Sequence, residues 1–351
     1  GRTMKVIHIA DIHLGAEPEK GAKWVKDRGR EIWETFERAI TYTEKVQADV
    51  LLIAGDMFHR QPLLRELKEV DYLFSTLTKT RVMIIAGNHD YMKQDSYYRS
   101  FLWCKNVSFF KSPGIERKDF PDLNLSVYGG SYYDREDIEP VYNQITVADE
   151  KKVNILLGHG GDAGHRPYDI EKLKASGFDY IAFGHIHMGG ELVKNKVVQA
   201  GCLEPADRSD SGAKGFYEVE ISKGKVQVKF VPFARRIYLP IEIAVTPEDT
   251  VMSVRQKVRE EIETFGSQNM YSLRLVGQRD QVIQFSFEEF QKEGNICSFD
   301  DKTQPDYNLQ ELYQANKNNV LGWYMKEFLK KETLNEIERQ ALHYGIRAFD
   351  V

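Results

Sequence analysis

Five short apolar runs each end in a cluster of polar side chains, and this repeated arrangement constrains the fold more than any other feature. The runs are rich in β-branched residues and bounded by turn signals, so they predict buried strands. They begin at Lys5, Val50, Val82, Asn154 and Tyr180, and they continue into D-I-H, G-D-M-F-H, G-N-H-D, G-H-G and G-H-I-H, in that order. Because the carboxyl ends of strands in an open α/β sheet lie along one edge, we expect the five clusters to converge.

The segments around these strands predict the rest of the architecture. Helical spacing of apolar residues over 25–46 and 63–77 predicts helices that cover the sheet. Later runs near Val197, Phe216 and Val226 are separated by turns, and they predict a second, largely antiparallel sheet packed on the first. The predicted fold class is therefore α/β, with a two-sheet sandwich flanked by helices, a small α/β module and a helical C-terminal tail.

The length of 351 residues favours more than one domain. An alternating strand begins at Ile237, and it is followed by a helical pattern over 251–265 and by predicted strands near 271–276 and 282–287. From about Asn308 to Tyr344 the apolar spacing is helical. We predict a main catalytic domain at residues 1–235, a small α/β accessory domain at 236–300 and a helical segment at 301–351.

Composition excludes several classes of protein. The net charge of −5, from 48 Lys and Arg against 53 Asp and Glu, provides no bulk cationic field, so a nucleic-acid substrate requires a local basic patch. Three widely spaced cysteines argue against a disulfide framework or a zinc ribbon. No apolar run approaches the roughly 20 residues of a membrane helix, and no signal-peptide pattern follows Met4. We expect a cytoplasmic protein with no membrane partner.

Seven polar side chains beyond the strand ends form a set of candidate metal ligands. Three offer oxygen and four offer imidazole nitrogen: Asp11, His13, Asp56, Asn88, His159, His185 and His187. This set is large enough for two divalent ions, with Asp56 as the natural bridge, and its mixed donors suit Mn²⁺, Fe²⁺ or Zn²⁺. Two such ions support in-line displacement at a phosphate without a phosphoenzyme. His89, next to Asn88, is then left for acid catalysis or for stabilising charge on the phosphoryl oxygens and leaving group.

The order D-x-H, G-D, G-N-H-D, G-H and G-H-x-H resembles the calcineurin-like metallophosphoesterase superfamily over about residues 4–232. The resemblance implies the two-sheet metallophosphoesterase sandwich and a catalytic role for His89. It implies that one ion is bound by Asp11, His13, Asp56 and His187. It implies that the other ion is bound by Asp56, Asn88, His159 and His185.

Within the superfamily, H-I-A-D-I-H-L-G at residues 8–15 and G-D-M-F-H at 55–59 resemble the DNA-repair exonuclease branch. This branch contains the SbcD-like nuclease subunits, and the similarity is greatest to the YhaO-like group. It implies a Mn²⁺-dependent DNA nuclease that works with an SbcC-like coiled-coil ATPase. We expect exonuclease action, and endonuclease action is an open alternative. Assembly of the chain as a homodimer is a further possibility. The branch also implies that His59 lies beside the metals and helps to position the DNA strand, whereas the plain alternative is a histidine in a surface loop.

Four further features each allow a functional and a structural interpretation. A basic run could meet a DNA phosphate or could be a solvated helix start, and it comprises Lys20, Lys23, Lys26, Arg28 and Arg30. An aromatic cluster could stack on a base or belong to the core, and it comprises Tyr91, Tyr97, Tyr98, Phe101 and Trp103. The glycine-rich segment after His159, which carries His165, could be a mobile lid or a tight turn. The C-terminal helices could bind an ATPase coiled coil or pack on their own domain.

Two alternative functions retain the metal ligands. One is a stand-alone phosphodiesterase for nucleotides or other small phosphoesters. The other is a metal-bound adaptor that docks an ATPase without cutting DNA. The complete ligand set together with His89 argues against the adaptor.

Overall fold

Strands and helices are organised into two units, Gly1–Tyr238 and Leu239–Val351, in a computed structural model that describes residues 2–22, 25 and 27–349. Lys23 and Lys26 of the predicted basic run lie outside the described residues. The strands of the first unit are β1 (Met4–Ile9), β2 (Val50–Ala54), β3 (Arg81–Ile85), β4 (Val107–Phe109), β5 (Glu116–Phe120), β6 (Leu125–Gly129), β7 (Val153–His159), β8 (Tyr180–Gly184), β9 (Gly190–Val193), β10 (Val197–Gln199), β11 (Gly215–Ser222) and β12 (Lys225–Pro232). Its helices are α1 (Arg28–Lys45), α2 (Leu64–Ser75), α3 (Tyr97–Ser100) and α4 (Ile170–Lys174).

The strands of the first unit form two six-stranded sheets, which establishes the predicted two-sheet α/β architecture. The first has the order β12-β11-β1-β2-β3-β4, and the second has the order β5-β6-β7-β8-β10-β9. The prediction of a largely antiparallel second sheet made of the later runs was wrong. β11 and β12 extend the first sheet as an antiparallel pair, whereas β6, β7, β8 and β10 run parallel in the second. Apolar alternation indicates that a strand is buried but does not indicate which sheet it joins.

Alternating side chains of β2 build two apolar layers. Leu51 and Ile53 pack toward the covering helices, in a cluster that contains Phe36 of α1 and Phe74 of α2. Leu52 points to the opposite face and packs in the cluster shared by the two sheets. This period of two, buried on both faces, explains the continuous apolar run in the sequence. The sandwich core therefore lies between the sheets, and α1 and α2 cover the outer face of the first.

The two sheets are joined by polar contacts close to their carboxyl ends. His8 of β1 is fully buried, its Nδ1 lies 2.6 Å from the Tyr180 hydroxyl, and its Nε2 lies 3.0 Å from the Phe183 carbonyl. Gly184, at the end of β8, lies so close to β2 that a Cβ added there would be 2.1 Å from the Ala54 carbonyl oxygen. The ends of β1, β2 and β8 are therefore held together across the sandwich.

The second unit contains a small α/β sheet and a helical segment. Its elements are β13 (Tyr238–Val245), α5 (Val251–Phe265), β14 (Met270–Asp280), α6 (Phe287–Gln291), β15 (Ile296–Asp301), β16 (Gln304–Asp306), α7 (Leu309–Ala315), α8 (Val320–Leu329) and α9 (Glu336–Ala348). The strand predicted at 282–287 was wrong, because this stretch is a turn that leads into α6 and Val282 is 82% exposed. The third strand is β15 instead. The boundary predicted at residue 300 stays a prediction.

The apolar side chains of the second unit form two clusters. One lies between α5 and the strands and includes Val258 and Leu273. The other lies among the C-terminal helices and includes Leu321 and Leu342.

Among the described residues, no helix is long and apolar enough to cross a bilayer.

We predict that Gly184→Ala destabilises the first unit, by at least about 2 kcal/mol in the free energy of unfolding, because a methyl group would separate β8 from β2. Urea denaturation measures this change. Gly114→Ala is the matched control, since a Cβ there would meet no atom closer than Ser112 Oγ at 3.9 Å. Equal unfolding midpoints for the two variants would contradict the proposed close approach of the strands.

Candidate metal centre

The loops that follow β1, β2 and β8 hold candidate ligands in left-handed backbone conformations. The φ angles are 49° at Asp11, 54° at His13, 52° at Asp56 and 103° at His185. Residues other than glycine seldom adopt positive φ, and the conformation costs roughly 1–3 kcal/mol at each position. Cross-bracing between the first two loops maintains it, because Asp11 N donates to Gly55 O at 3.2 Å and His13 N donates to Asp56 O at 3.0 Å.

The first ligand group consists of Asp11, His13 and His187, whose ligand atoms lie within 4.8 Å of one another. The Nε2 atoms of His13 and His187 are 3.1 Å apart. Asp11 is fully buried, and its Oδ1 has no hydrogen-bond partner among the described residues. Two nitrogens bound to one ion at about 2.1 Å lie roughly 3 Å apart, and a buried carboxylate oxygen without a partner is costly. The geometry and the orphaned oxygen both fit a divalent ion.

The second group consists of Asp56, Asn88, His159 and His185. His159 Nε2 lies 2.9 Å from Asn88 Oδ1 and 3.4 Å from Asp56 Oδ2. The same Asn88 oxygen is 3.2 Å from His185 Nδ1. Asp56 Oδ2 is also 3.8 Å from His13 Nε2 in the first group. The His and Asp clusters thus fit two divalent ions, and Asp56 lies between them.

Three of the four candidate imidazole ligands have an oxygen acceptor at their other ring nitrogen, whereas Nδ1 of His13 lies 3.1 Å from Nδ1 of His59. His159 Nδ1 lies 2.8 Å from the Ala54 carbonyl oxygen. His185 Nε2 lies 2.6 Å from Asp162 Oδ2, and His187 Nδ1 lies 3.3 Å from both oxygens of Asp210. Donation to these acceptors leaves Nε2 of His159 and His187, and Nδ1 of His185, with a lone pair for an ion.

Sequence reasoning assigned no role to Asp162, which is set back from the end of β7, or to Asp210, which belongs to no strand-end motif. Asp162 lies three positions after His159 in the glycine-rich segment, which is the one signal that could have found it. Asp210 is 23 positions beyond its partner His187, and no motif links the two residues.

Asp90, the last residue of G-N-H-D, braces two ligand loops. Its buried carboxylate accepts from the backbone N–H of Asp56 and Phe58, both at 3.2 Å, and from that of Gly87 at 2.8 Å. It also accepts from the Tyr98 hydroxyl at 2.6 Å. The sequence placed Asp90 beside the ligands without assigning it a role, and the structure shows that it positions Asp56.

His89 and His59 lie on the solvent side of the first ligand group. The rings of His89 and His59 are stacked, with centroids 5.1 Å apart and an interplanar angle of 22°. His59 Nδ1 is 3.1 Å from His13 Nδ1, and His89 Nδ1 is 3.1 Å from the His59 carbonyl oxygen. The backbone N–H of His89 donates to Asp56 Oδ1 at 2.9 Å. All nine predicted site residues are thus brought together, and the two histidines proposed for catalysis are the exposed ones.

Burial and the neighbouring carboxylates set the pKa values of the histidines. Burial lowers the pKa of His13 to about 3, so this ring is neutral and able to bind an ion. Burial also opposes the charging of His159, but Asp56 outweighs it and raises the pKa to about 9. At His187 burial is likewise outweighed, by Asp210 and Asp11, and the pKa rises to about 9. Without ions, these two imidazoles therefore carry protons at neutral pH.

The predicted basic run is not a free cationic patch in the described residues. Arg28 is 1% exposed and its Nη1 lies 2.8 Å from Glu31 and 3.1 Å from Glu204, so the structural interpretation holds for it. Lys20 and Arg30 are exposed, but each pairs with a neighbouring glutamate, at 3.0 and 3.1 Å. Arg28 therefore stabilises the fold and does not contact a substrate.

The aromatic cluster and the glycine-rich segment are also mainly structural. Tyr98 is fully buried, and Phe101 and Trp103 pack against the core, which leaves Tyr97 and Tyr91 as the accessible rings. In the segment after His159, Gly161 N donates to the His165 carbonyl at 2.8 Å. The segment is therefore a bonded turn.

Comparison with known proteins identifies similar sequences and structures. A sequence profile of calcineurin-like phosphoesterases matches residues 4–189. The chain is 28% identical over 247 residues to the uncharacterized metallophosphoesterase YhaO of Bacillus subtilis, an overlap that covers 64% of this chain and 59% of YhaO. The chain thus spans less than two thirds of the length of this relative.

Solved structures show a distant similarity. A dimetal phosphatase from Danio rerio aligns with a TM-score of 0.44 and 11% identity, over 64% of this chain and 95% of that one. GAP50, described as the anchor in the inner membrane complex of Plasmodium, aligns with a TM-score of 0.37 and 13% identity, over 66% of this chain and 85% of that one.

We predict that metal affinity rises with pH up to about pH 9. Each ion must displace a proton from His159 or His187, whose pKa values are about 9, so protons compete increasingly as the pH falls. Below pH 9 the association constant should rise by about 10-fold per pH unit for each proton displaced. Calorimetry in buffers of different ionisation enthalpy measures the proton release, and a constant affinity between pH 6.5 and 9 would contradict this assignment.

We also predict that Asp90→Asn weakens metal binding by roughly 10- to 100-fold, because an amide offers one acceptor oxygen to several donors and adds an N–H₂ group beside them. Tyr98→Phe is the matched control, since it removes one donor to Asp90 and leaves the three backbone contacts in place. Metal titration with both variants tests this. An Asp90→Asn variant that binds ions as tightly as the wild type would show that Asp90 does not position Asp56.

Proposed function

The chain belongs to the calcineurin-like phosphoesterase family, whose profile covers more than half of its length, and from this premise we propose that it is a DNA nuclease. Membership and the paired ligand groups make it a metal-dependent phosphoesterase. The proposal concerns the substrate, which we take to be the phosphodiester linkage of DNA. Exonuclease action is the activity proposed, and endonuclease action is the alternative that linear and circular substrates distinguish.

A cationic cleft beside the metal centre is the observation that carries the proposal. The cleft has a volume of about 340 Å³, and Asn88 and His89 form part of its lining. Arg60, Lys93 and Arg135 bring three cationic side chains to the lining, which also contains Glu136. Arg60 is paired with Glu66 and Lys93 lies 3.7 Å from Asp95, which leaves Arg135 as the cation of the lining without an ion pair to a described residue. Tyr91 also lines it and offers an aromatic face to a base. This combination of cations and an aromatic ring favours a substrate with several phosphates over a neutral ester.

The residues of the site have distinct roles in the proposed reaction. Two ions held by the seven ligands would supply Lewis-acid activation of the phosphate and of water. His89 faces solvent with its Nδ1 toward the His59 carbonyl, so its Nε2 is the nitrogen available to the substrate. In the protonated state, Nε2–H can donate its proton to the departing oxygen. His59, stacked on His89, restricts the rotation of that ring.

Several finer assignments are part of the same proposal. Mn²⁺ is proposed as the working ion, with Fe²⁺ and Zn²⁺ as alternatives that suit the same nitrogen and oxygen donors. The strand-end motifs and their resemblance to SbcD-like subunits support a role in cytoplasmic DNA repair with an SbcC-like coiled-coil ATPase. A homodimer is compatible with this assembly.

We predict that the protein with Mn²⁺ cleaves end-labelled single-stranded DNA, and that His89→Ala lowers the rate by roughly 10²- to 10⁴-fold through loss of proton donation. Asp56→Ala should abolish cleavage together with metal binding. A bis-aryl phosphodiester is assayed in parallel. Linear and circular strands separate exonuclease from endonuclease action.

Controls separate chemistry from folding. His89→Ala should still bind two ions per chain, since His89 is not among the predicted ligands. Turnover of the bis-aryl diester without any cleavage of DNA would identify a small-molecule phosphodiesterase. Activity on neither substrate, with two ions bound, would favour the adaptor.

A further inference from the structure

One wall of the cleft is formed by two loops that bond to each other, residues 133–138 and 160–166. Asp137 N donates to Gly164 O at 3.0 Å, and Arg166 N donates to Asp137 O at 2.5 Å. The Arg166 Nε also donates to Asp137 Oδ2 at 2.8 Å. We refer to these two loops as the bonded wall. It brings Arg135 and Glu136 from the first loop and His165 from the second to the lining of the cleft.

The bonded wall is anchored to the protein interior by Arg166, which is 1% exposed. Its guanidinium donates to the carbonyl oxygens of Gly130 at 3.0 Å, Ser131 at 2.9 Å and Pro113 at 3.2 Å. It also donates to the Tyr142 hydroxyl at 3.1 Å. A buried charge is stable only with such a complete set of acceptors, and the same contacts join the wall to the backbone at Pro113, Gly130 and Ser131.

The bonded wall is joined to the metal centre by the chain itself, which continues from His159, by the hydrogen bond from Gly160 N to Gly184 O at 3.0 Å, and by the carboxylate of Asp162. Asp162 Oδ1 lies 2.7 Å from His165 Nδ1, and its Oδ2 lies 2.6 Å from Nε2 of the candidate ligand His185. The rings of His165 and His185 are 4.4 Å apart. The backbone of the wall therefore has a defined position relative to the ligands.

Arg135 is the cation of the cleft that is free to bind an anion. Arg60 is engaged by Glu66 at 2.7 and 3.1 Å, and Lys93 has Asp95 at 3.7 Å. Arg135 is exposed and makes no ion pair with any described residue. A guanidinium presents a planar fork of donors that matches two phosphate oxygens.

We propose that Arg135 on the bonded wall holds the phosphate adjacent to the scissile one, so that the site selects polynucleotides over isolated phosphodiesters. The inference rests on the proposed nuclease function, and it adds that the site recognises two neighbouring phosphates of one strand. The metal ligands and His89 would address one phosphate, and Arg135, which lines the same cleft on a wall tied to His185, would meet the next. Arg135 is a specificity-determining residue, and the reaction at the scissile phosphate does not require it.

The test uses an end-labelled single-stranded oligonucleotide with one internal methylphosphonate, which removes the charge of a single phosphate. Cleavage is quantified at the linkages on either side of it for the wild type, Arg135→Ala and Arg135→Lys. Arg65→Ala is the matched control, because Arg65 is likewise an exposed arginine without an ion pair to a described residue, and it does not line this cleft. The bis-aryl diester, which has no neighbouring phosphate, is assayed in parallel.

In the wild type, the methylphosphonate should slow cleavage at one of the two adjacent linkages by roughly 5- to 30-fold. Arg135→Ala should raise KM for the unmodified strand by a similar factor and should no longer respond to the methylphosphonate. Arg135→Lys should retain part of the response, because it keeps the charge and loses the fork. Arg135→Ala should lower kcat/KM for the unmodified strand more than kcat/KM for the bis-aryl diester, whereas Arg65→Ala should leave the ratio of these two constants at the wild-type value.

Contrary outcomes separate this inference from the proposed function. If DNA is cleaved but Arg135→Ala remains as sensitive to the methylphosphonate as the wild type, the inference fails and the nuclease assignment stands. The same holds if Arg135→Ala loses activity equally on DNA and on the bis-aryl diester. If the wild type hydrolyses only the bis-aryl diester, both the nuclease assignment and the inference fail.

Discussion

The concentration of imidazoles and carboxylates in a region with little solvent access is the constraint on which the rest of the site depends. Asp11 and His159 are fully buried and Asp56 is 1% exposed, so uncompensated negative charge there would be costly. Protons on His159 and His187 supply positive charge in the absence of ions, as their raised pKa values indicate. Divalent ions would supply more, and would also engage the orphaned oxygen of Asp11. Crowding these charged and polar groups together is energetically unfavourable. The hydrogen bonds of the left-handed loops and of the Asp90 carboxylate keep the ligands in place despite this cost.

No single sheet could provide this ligand set. Asp11, His13, Asp56 and Asn88 follow strands of the first sheet, whereas His159, His185 and His187 belong to strand ends of the second. Their convergence requires both sheets to present carboxyl ends at the same end of the sandwich. Contact between Gly184 and Ala54 brings these ends within ligand distance. The packing of the sandwich is thus a condition for metal binding as well as for stability.

Much of the fold and most of the candidate site could be predicted from the sequence, for identifiable reasons. Each buried strand and the polar cluster that follows it form one continuous stretch of sequence. Asp11, Asp56 and His185 could therefore be recognised without knowing which residues lie near them in three dimensions. Sheet membership is not local, and β11 was consequently placed in the wrong sheet. Asp210 is also beyond local reasoning, because its relation to His187 exists only in three dimensions. At 282–287 a short apolar alternation resembled a strand, although the chain there turns into α6.

The metal centre and the cleft depend on different parts of the fold. The chemistry at phosphorus depends on strand ends, where the rigid sheets determine ligand positions and a motif can be read directly. The cleft that we propose receives the remainder of the substrate depends on loops 133–138 and 160–166, which are held in shape by contacts of Arg166 and Asp137. The second loop is joined to the ligands directly, because it continues from His159, Gly160 N donates to Gly184 O at 3.0 Å and Asp162 contacts His185. The first loop contains none of the predicted ligands, so its side chains can change while the ligands stay in place. Substrate preference can therefore differ between proteins with identical metal ligands, and the bonded wall is where such a difference would arise.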